Sequence, residues 1–122
     1  APFQPAIAVG LRLPDAYFTS IAETLRLKRD ILSKALRSAG FAISKPDAGY
    51  FVVADAAPLG VSDAAEFCRA LPALAGVVAV PITAFVREGN RAAYRSLLRF
   101  AFCKRVVLLE RAASQLAGLR ST

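Results

Sequence analysis

The spacing of apolar positions changes from one segment of this chain to the next, and those changes mark out its elements. Phe3, Ile7 and Leu11 recur at helical spacing, which predicts a short helix over 3–12, ended by Pro14. Asp15 then stands where an N-cap is needed for a second helix, from about 16 to 39. Phe18, Ile21, Leu25, Leu32, Leu36 and Ala39 lie on or near one face of that helix, and Gly40 is placed to stop it. At a rise of ~1.5 Å per residue it would be ~36 Å long, more than a small domain needs. A helix of that length can bridge two bodies, with its ends packed on different cores.

Beyond residue 40 the elements are shorter. Residues 41–45 read as a strand, Pro46-Asp47-Ala48-Gly49 as turn chemistry, and 50–53 as a second strand. Ser62 is the expected cap of a helix that carries Ala65, Phe67, Cys68 and Leu71 and stops near Pro72. After Gly76, residues 77–80 form a strand that ends at Pro81, and 87–90 form a surface loop. Residues 97–102 are a further strand. The last helix runs from about 105 to 119, with Leu109, Ala112, Ala113, Leu116 and Leu119 as its core stripe. This order predicts an α+β sandwich: a small sheet of about three to four strands, covered by helices mainly on one face and preceded by the long helix.

The strand at 97–102 raises a chemical question. Ser96-Leu97-Leu98-Arg99-Phe100-Ala101-Phe102-Cys103-Lys104 puts a guanidinium in the middle of an apolar run. A buried charge is costly unless it is paired, and arginine cannot escape by losing its proton. Strand alternation sets Arg99 on the face of Leu97 and Ala101, opposite Phe100 and Phe102. Three arrangements are open to it. Arg99 sits on a solvated sheet face or edge, or pairs with an internal acid such as Asp55 or Asp63, or holds a ligand carboxylate through its bidentate fork.

Composition narrows the classes. The chain has 122 residues, 56% hydrophobic and 20% charged, which suits one folded domain. It has no His, so the commonest general base and metal ligand is missing, and its two cysteines lack metal-ligand spacing. They read as reduced thiols of a cytoplasmic protein. No apolar run approaches the ~20 residues that span a bilayer. The first 13 residues are apolar, but Arg12 is their one positively charged side chain, so they lack the basic front end of a signal peptide. The absence of Met at position 1 suggests processing, or a piece of a longer protein.

A net charge of +7 invites a nucleic-acid reading. Arg-Phe-Ala-Phe also looks like the aromatic strand of an RNA-recognition motif, whose exposed rings stack on bases. Yet the basic residues are scattered. The one cluster, Arg26, Lys28 and Arg29, is followed by Asp30 and suits a solvated helix face. No glycine follows the arginine, and two helices precede the first strand. A basic, aromatic α+β nucleic-acid-binding domain stands as the alternative, and it requires Phe100 and Phe102 to be exposed. Two further segments read first as plain structure. Asp47-Ala48-Gly49-Tyr50-Phe51 is a tight turn entering a strand, although a glycine beside a tyrosine also lets backbone approach a ligand. Val80-Pro81-Ile82-Thr83-Ala84-Phe85 is a strand end with a rigid turn.

Taken in order, these segments resemble the C-terminal part of class I and II pyridoxal-phosphate-dependent aminotransferases. Residues 1–8 resemble the helix after that family's cofactor-lysine loop, and Lys28-Arg29-Asp30-Ile31-Leu32 resembles its RRDxL segment. Ala48-Gly49-Tyr50-Phe51, followed by Ala54-Asp55, is similar to GGYF…AD. Asp63-Ala64-Ala65-Glu66-Phe67-Cys68 resembles D…EFC, and Val80 to Phe85 resembles IPGSAF. Leu98-Arg99-Phe100-Ala101-Phe102-Cys103-Lys104 resembles VRFAFCK, the most specific of these motifs. The subgroup most alike is the kynurenine, methionine and N-succinyldiaminopimelate aminotransferases.

The resemblance implies roles. Arg99 matches the arginine that binds the substrate α-carboxylate, and Ala48, Gly49 and Tyr50 match the substrate pocket. The full-length enzyme would be a cytoplasmic homodimer acting on an amino acid and a 2-oxo acid with pyridoxal phosphate. Residues 1–14 would be a helix belonging with an absent large domain, and 15–122 the small C-terminal domain with its interdomain helix. The Schiff-base lysine would lie upstream of Ala1, since none of Lys28, Lys34, Lys45 and Lys104 matches its position. This chain alone is therefore expected to be inactive and to bind no cofactor. Nucleic acid, membrane and metal would have no part. Ala48 and Ile82 depart from the family pattern, where glycine or a small residue is usual, so the departures bear on pocket shape.

Overall fold

Pro14 divides two helices. In a computed structural model that describes residues 1–121, α1 spans Gln4–Leu11 and α2 spans Asp15–Ala39. Pro14, with φ −57° and ψ 147°, is the N-cap of α2, so Asp15 is the first helical residue rather than the expected cap. It still puts a negative charge in the first turn, at the positive end of the helix dipole. Gly40 closes α2 in the left-handed conformation, φ 104°, and a Cβ there would stand 2.7 Å from Leu59 Cδ2. The left-handed conformation is what favours glycine here, since the Leu59 side-chain end can give way.

The apolar face of α2 is used unevenly. Leu32, Ala35, Leu36 and Ala39 are buried in its last two turns, whereas Phe18 and Ile21 stay exposed. No residue of α1 is buried. One end of the long helix is therefore packed on the domain while the other projects with its apolar side chains uncovered.

The remaining order is β1 (Ala42–Ser44), β2 (Phe51–Asp55), α3 (Ala64–Ala75), β3 (Val80–Pro81), β4 (Leu97–Ala101) and α4 (Val106–Ala117). The four strands form one antiparallel sheet in the order β1-β2-β4-β3. Val53 and Val80 both pair with Arg99, from the two sides of β4. The outer strands are three and two residues long, and β3 carries Pro81, so neither offers a long free edge.

Alternation gives the sheet two unlike faces. Val52, Ala54, Leu98 and Phe100 are buried; Phe51, Val53, Asp55, Leu97, Arg99 and Ala101 are half-buried. The buried set joins Leu32 and Leu36 of α2, Leu71 of α3, and Leu109 and Leu116 of α4 in one core. Phe41 meets Phe100 edge-on, with ring centroids 5.8 Å apart. Helices therefore cover one face, and the open face carries Arg99. The α+β sandwich expected from the sequence is the observed architecture.

Several local expectations change. Asp63, not Ser62, caps α3: its Oδ1 accepts from Ala65 N at 2.9 Å and Glu66 N at 3.3 Å. Pro72 does not stop α3, because a proline late in a helix forfeits one backbone hydrogen bond while the turn continues. The helix ends instead at Gly76, φ 61°. The strand expected over 77–80 shrinks to Val80–Pro81, the stretch that meets β4. The loop at 87–90 belongs to a surface 3₁₀ turn, Glu88–Tyr94, and a second such turn, Ile82–Phe85, follows β3 directly. Phe100 and Phe102 are each only 2% exposed, so the rings on which the nucleic-acid reading depended are not available to stack on bases.

Candidate functional site

Arg99 lies at the centre of the open face, on β4 between β2 and β3. Neither acid proposed as its partner reaches it. Asp55 Oδ1 accepts from Ala57 N at 2.9 Å, and the Asp63 carboxylate is taken up in capping α3. Among the described residues the one ion pair is Arg29–Asp30, and the Arg99 guanidinium has no acid partner; its Nε has no hydrogen bond.

Its partners are aromatic. The guanidinium carbon stands 4.1 Å from the ring centroid of Phe51 and 4.1 Å from that of Phe85. Phe51 is set by the β2 ladder, where it pairs with Ala101. Phe85 arrives from the 3₁₀ turn after β3, whose Val80 pairs with Arg99 itself. Cation–π attraction to two rings holds the charge without a counter-ion and leaves its N–H donors unspent. Nε is buried and has no partner, while the terminal nitrogens do not share that buried, partnerless state. An arginine so held can offer its terminal nitrogens to an anion.

The other expected site residues divide. Tyr50 adjoins Phe51, with ring centroids 4.6 Å apart, and its carbonyl accepts from Phe102 N at 2.9 Å. Tyr50, Phe51, Arg99 and Phe85 are thus linked by successive close contacts, with the Tyr50 ring tilted 43° to that of Phe51. Ala48 and Gly49 lie elsewhere, lining a groove of about 410 Å³ with Leu25, Arg29, Asp47 and Phe102, which Arg99 does not line. Arg29 ties that groove to α2 by donating to the Pro46 carbonyl. Phe85 was not singled out as a site residue from the sequence. It was visible only as the last residue of the Val80–Phe85 segment, with nothing local to connect it to Arg99.

No lysine stands on β2, β3 or β4: Lys28 and Lys34 are on α2, and Lys45 and Lys104 lie just beyond β1 and β4. Among the described residues no three His, Cys, Asp or Glu side chains gather to hold a metal, and no helix is long and apolar enough to cross a membrane. Cys68 is buried, and burial pushes its thiol up from 9.0 to about 11; Cys103 is exposed.

Comparison with known proteins agrees with the motif order. Residues 1–116 match the aminotransferase class I and II family. The chain is 41% identical to the probable N-succinyldiaminopimelate aminotransferase DapC of Mycobacterium tuberculosis, over 98% of this chain and 32% of that protein. It is 32% identical to rat kynurenine–oxoglutarate transaminase 3, over 91% of this chain and 28% of that protein. Among solved structures, the M. tuberculosis N-succinyldiaminopimelate aminotransferase superposes with a TM-score of 0.87 at 42% identity, covering 98% of this chain and 30% of its own. An Escherichia coli protein with methionine aminotransferase function gives 0.82 at 31% identity, covering 95% and 30%. The chain spans about a third of the length of the curated relatives it matches. By motif order, fold and sequence match together, this chain belongs to the class I and II aminotransferases.

Proposed function

We propose that the whole protein is a pyridoxal-phosphate-dependent aminotransferase, moving an amino group from an amino acid to a 2-oxo acid, and that this chain is its C-terminal substrate-binding domain. Arg99 binds the substrate α-carboxylate. The observation that carries this reading is a guanidinium held on the open sheet face, between two phenyl rings, with no acid partner among the described residues. The relatives are named for different amino donors, and all of these carry a carboxylate beside the reacting amine. A planar fork that grips that common group and ignores the side chain fits such a set. Tyr50 flanks the carboxylate site, while Ala48 and Gly49 shape a neighbouring groove.

The residues present do not fit the cofactor, because no lysine stands on the strands around Arg99. Pyridoxal phosphate and its lysine therefore belong to the rest of the protein, and this chain alone is inactive. The uncovered stripe of α1 and the first turns of α2 suits packing against that remainder, with 1–14 belonging to it and 15–122 forming the small domain. The full protein works as a cytoplasmic homodimer, as the family resemblance implies.

Arg99→Lys in the full-length enzyme tests the reading. Lysine keeps the charge and loses the fork. The expected result is a higher KM for both amino donor and oxo acid, because both present the same carboxylate. The loss is about 1.5–3 kcal/mol, or roughly ten- to a hundredfold in kcat/KM, with the melting temperature barely moved. Unfolding of the variant, with unchanged kinetics in the surviving protein, would make Arg99 a structural residue instead.

A further inference from the structure

The geometry points to Phe85, acting with Phe51, as a positioning residue: an aromatic clamp that fixes the plane of the Arg99 guanidinium and turns its terminal nitrogens toward the substrate carboxylate. This rests on the carboxylate-binding reading of Arg99 and adds a residue to it.

Three observations carry the inference. First, the guanidinium carbon stands over two rings, 4.1 Å from the centroid of each, so the cation is held by two π faces at once. A guanidinium held through π contacts keeps its in-plane N–H donors for an anion. Second, Nε is buried without a partner, which closes the edge on the side-chain stem and leaves the terminal pair. Third, the two acids that were candidates to pair with Arg99 are engaged with backbone N–H groups: Asp55 with Ala57, and Asp63 with Ala65 and Glu66. A carboxylate beside Arg99 would orient it too, but would compete with the ligand for the same N–H donors. Phenyl rings orient the plane through its faces and leave those donors unused.

The two halves of the clamp differ. Phe51 sits within a paired strand and is half-buried. Phe85 is 59% exposed and hangs from a short 3₁₀ turn, so little of its surface serves the core. Pro81 pairs with Leu98 at the end of β3, and the turn starts at the next residue. The register that pairs Val80 with Arg99 therefore also delivers Phe85 over the guanidinium. Since Phe85 belongs mainly to the clamp, it can be changed with little effect on folding.

The test uses the full-length holoenzyme with 2-oxoglutarate as acceptor. The donors are L-methionine, L-kynurenine, L-glutamate and N-succinyl-L,L-diaminopimelate. Phe85→Leu removes the π face and keeps an apolar side chain; Phe85→Met is a second such variant should the first not fold; Phe85→Tyr restores the face. The expected result for Leu or Met is a rise in KM of about three- to tenfold, by a common factor for every donor that turns over and for 2-oxoglutarate. The kcat at saturation and the melting temperature should stay near wild type, and Phe85→Tyr should bring KM back within about twofold. A KM rise confined to particular donors would mean that Phe85 meets the substrate side chain, and would overturn the positioning role. Unchanged KM values in Phe85→Leu and Phe85→Met, with raised values in Arg99→Lys, would overturn the clamp and leave the Arg99 reading standing. Unchanged KM values in Arg99→Lys, or no turnover with any donor, would remove the reading beneath it.

Discussion

Arg29 Nη1 donates a hydrogen bond to the Pro46 carbonyl at 3.1 Å, tying the middle of α2 to the turn that carries Ala48 and Gly49. The same guanidinium meets Asp30 Oδ1 at 2.9 Å through Nε and Nη2. The Arg29 side chain is 13% exposed and that of Asp30 is 56% exposed, so the two contacts differ in weight. The backbone contact is sheltered and joins distant parts of the chain. The ion pair is half in water and screened.

Arg29→Met keeps much of the packed stem and removes the tie. We expect a loss of about 1–2 kcal/mol in stability, since the sheltered Pro46 carbonyl loses a charged donor. Asp30→Asn should cost under about 0.5 kcal/mol, as for other exposed pairs. Urea denaturation of both variants checks the ranking. Equal losses would show that the ion pair, not the tie, carries the stabilisation.

Thiol reactivity should separate the two cysteines. Cys103 is exposed, while Cys68 lies in the core with its thiol pushed up to about 11 by burial. A thiol reagent at pH 8 should label Cys103 quickly and Cys68 only on unfolding. The pH dependence follows. The unfolded chain releases the Cys68 proton near 9.0, before the folded chain does, so at high pH the unfolded state binds fewer protons. The contribution of Cys68 is fully present below pH 9.0 and is lost as pH rises toward about 11. Denaturation midpoints of wild type and Cys68→Ala across that window should converge as pH rises. A constant difference would show that burial does not shift this thiol.

Self-association should follow from α1. Phe3, Ile7 and Leu11 are 76%, 60% and 72% exposed, and Leu13, Tyr17, Phe18 and Ile21 continue the uncovered surface onto α2. So many uncovered large apolar side chains on two successive helices favour association in water. Light scattering of the isolated chain should give a mass that grows with concentration, and the combined Phe3→Ser, Ile7→Ser and Leu11→Ser variant should hold at one chain. A strictly monomeric wild type would mean that α1 folds back onto its own domain.

Much of this molecule was legible along the chain. Helical spacing at Phe3, Ile7 and Leu11, and the stripe ending at Leu36 and Ala39, marked α1 and α2 because a helix repeats its faces within one turn. Gly40 and Gly76 each precede a change of element, and a left-handed residue is a local requirement. Alternation in β4 separated Arg99 from Phe100 and Phe102 before any fold was known, since neighbouring strand side chains must point to opposite faces. Boundaries fared worse where two adjacent residues compete: Asp63 caps where Ser62 also could, and Pro72 is carried by a helix with enough turns around it.

What the chain alone left open was the partner of Arg99, and tertiary structure decided it. Phe51 and Phe85 are far apart in sequence and meet only because β2 and β3 flank β4 in one register, with Val53 and Val80 both opposite Arg99. Nothing in the local pattern of either phenylalanine distinguishes a ring that covers a cation from one that fills a core. The sharing of α2 is of the same kind. Its stripe is written over the whole helix, but which end is covered depends on where the sheet and α4 pack, and that is a property of the assembled domain. Local periodicity specifies which face of an element is apolar; only the neighbours brought together in space decide what that face, or the charge opposite it, comes to touch.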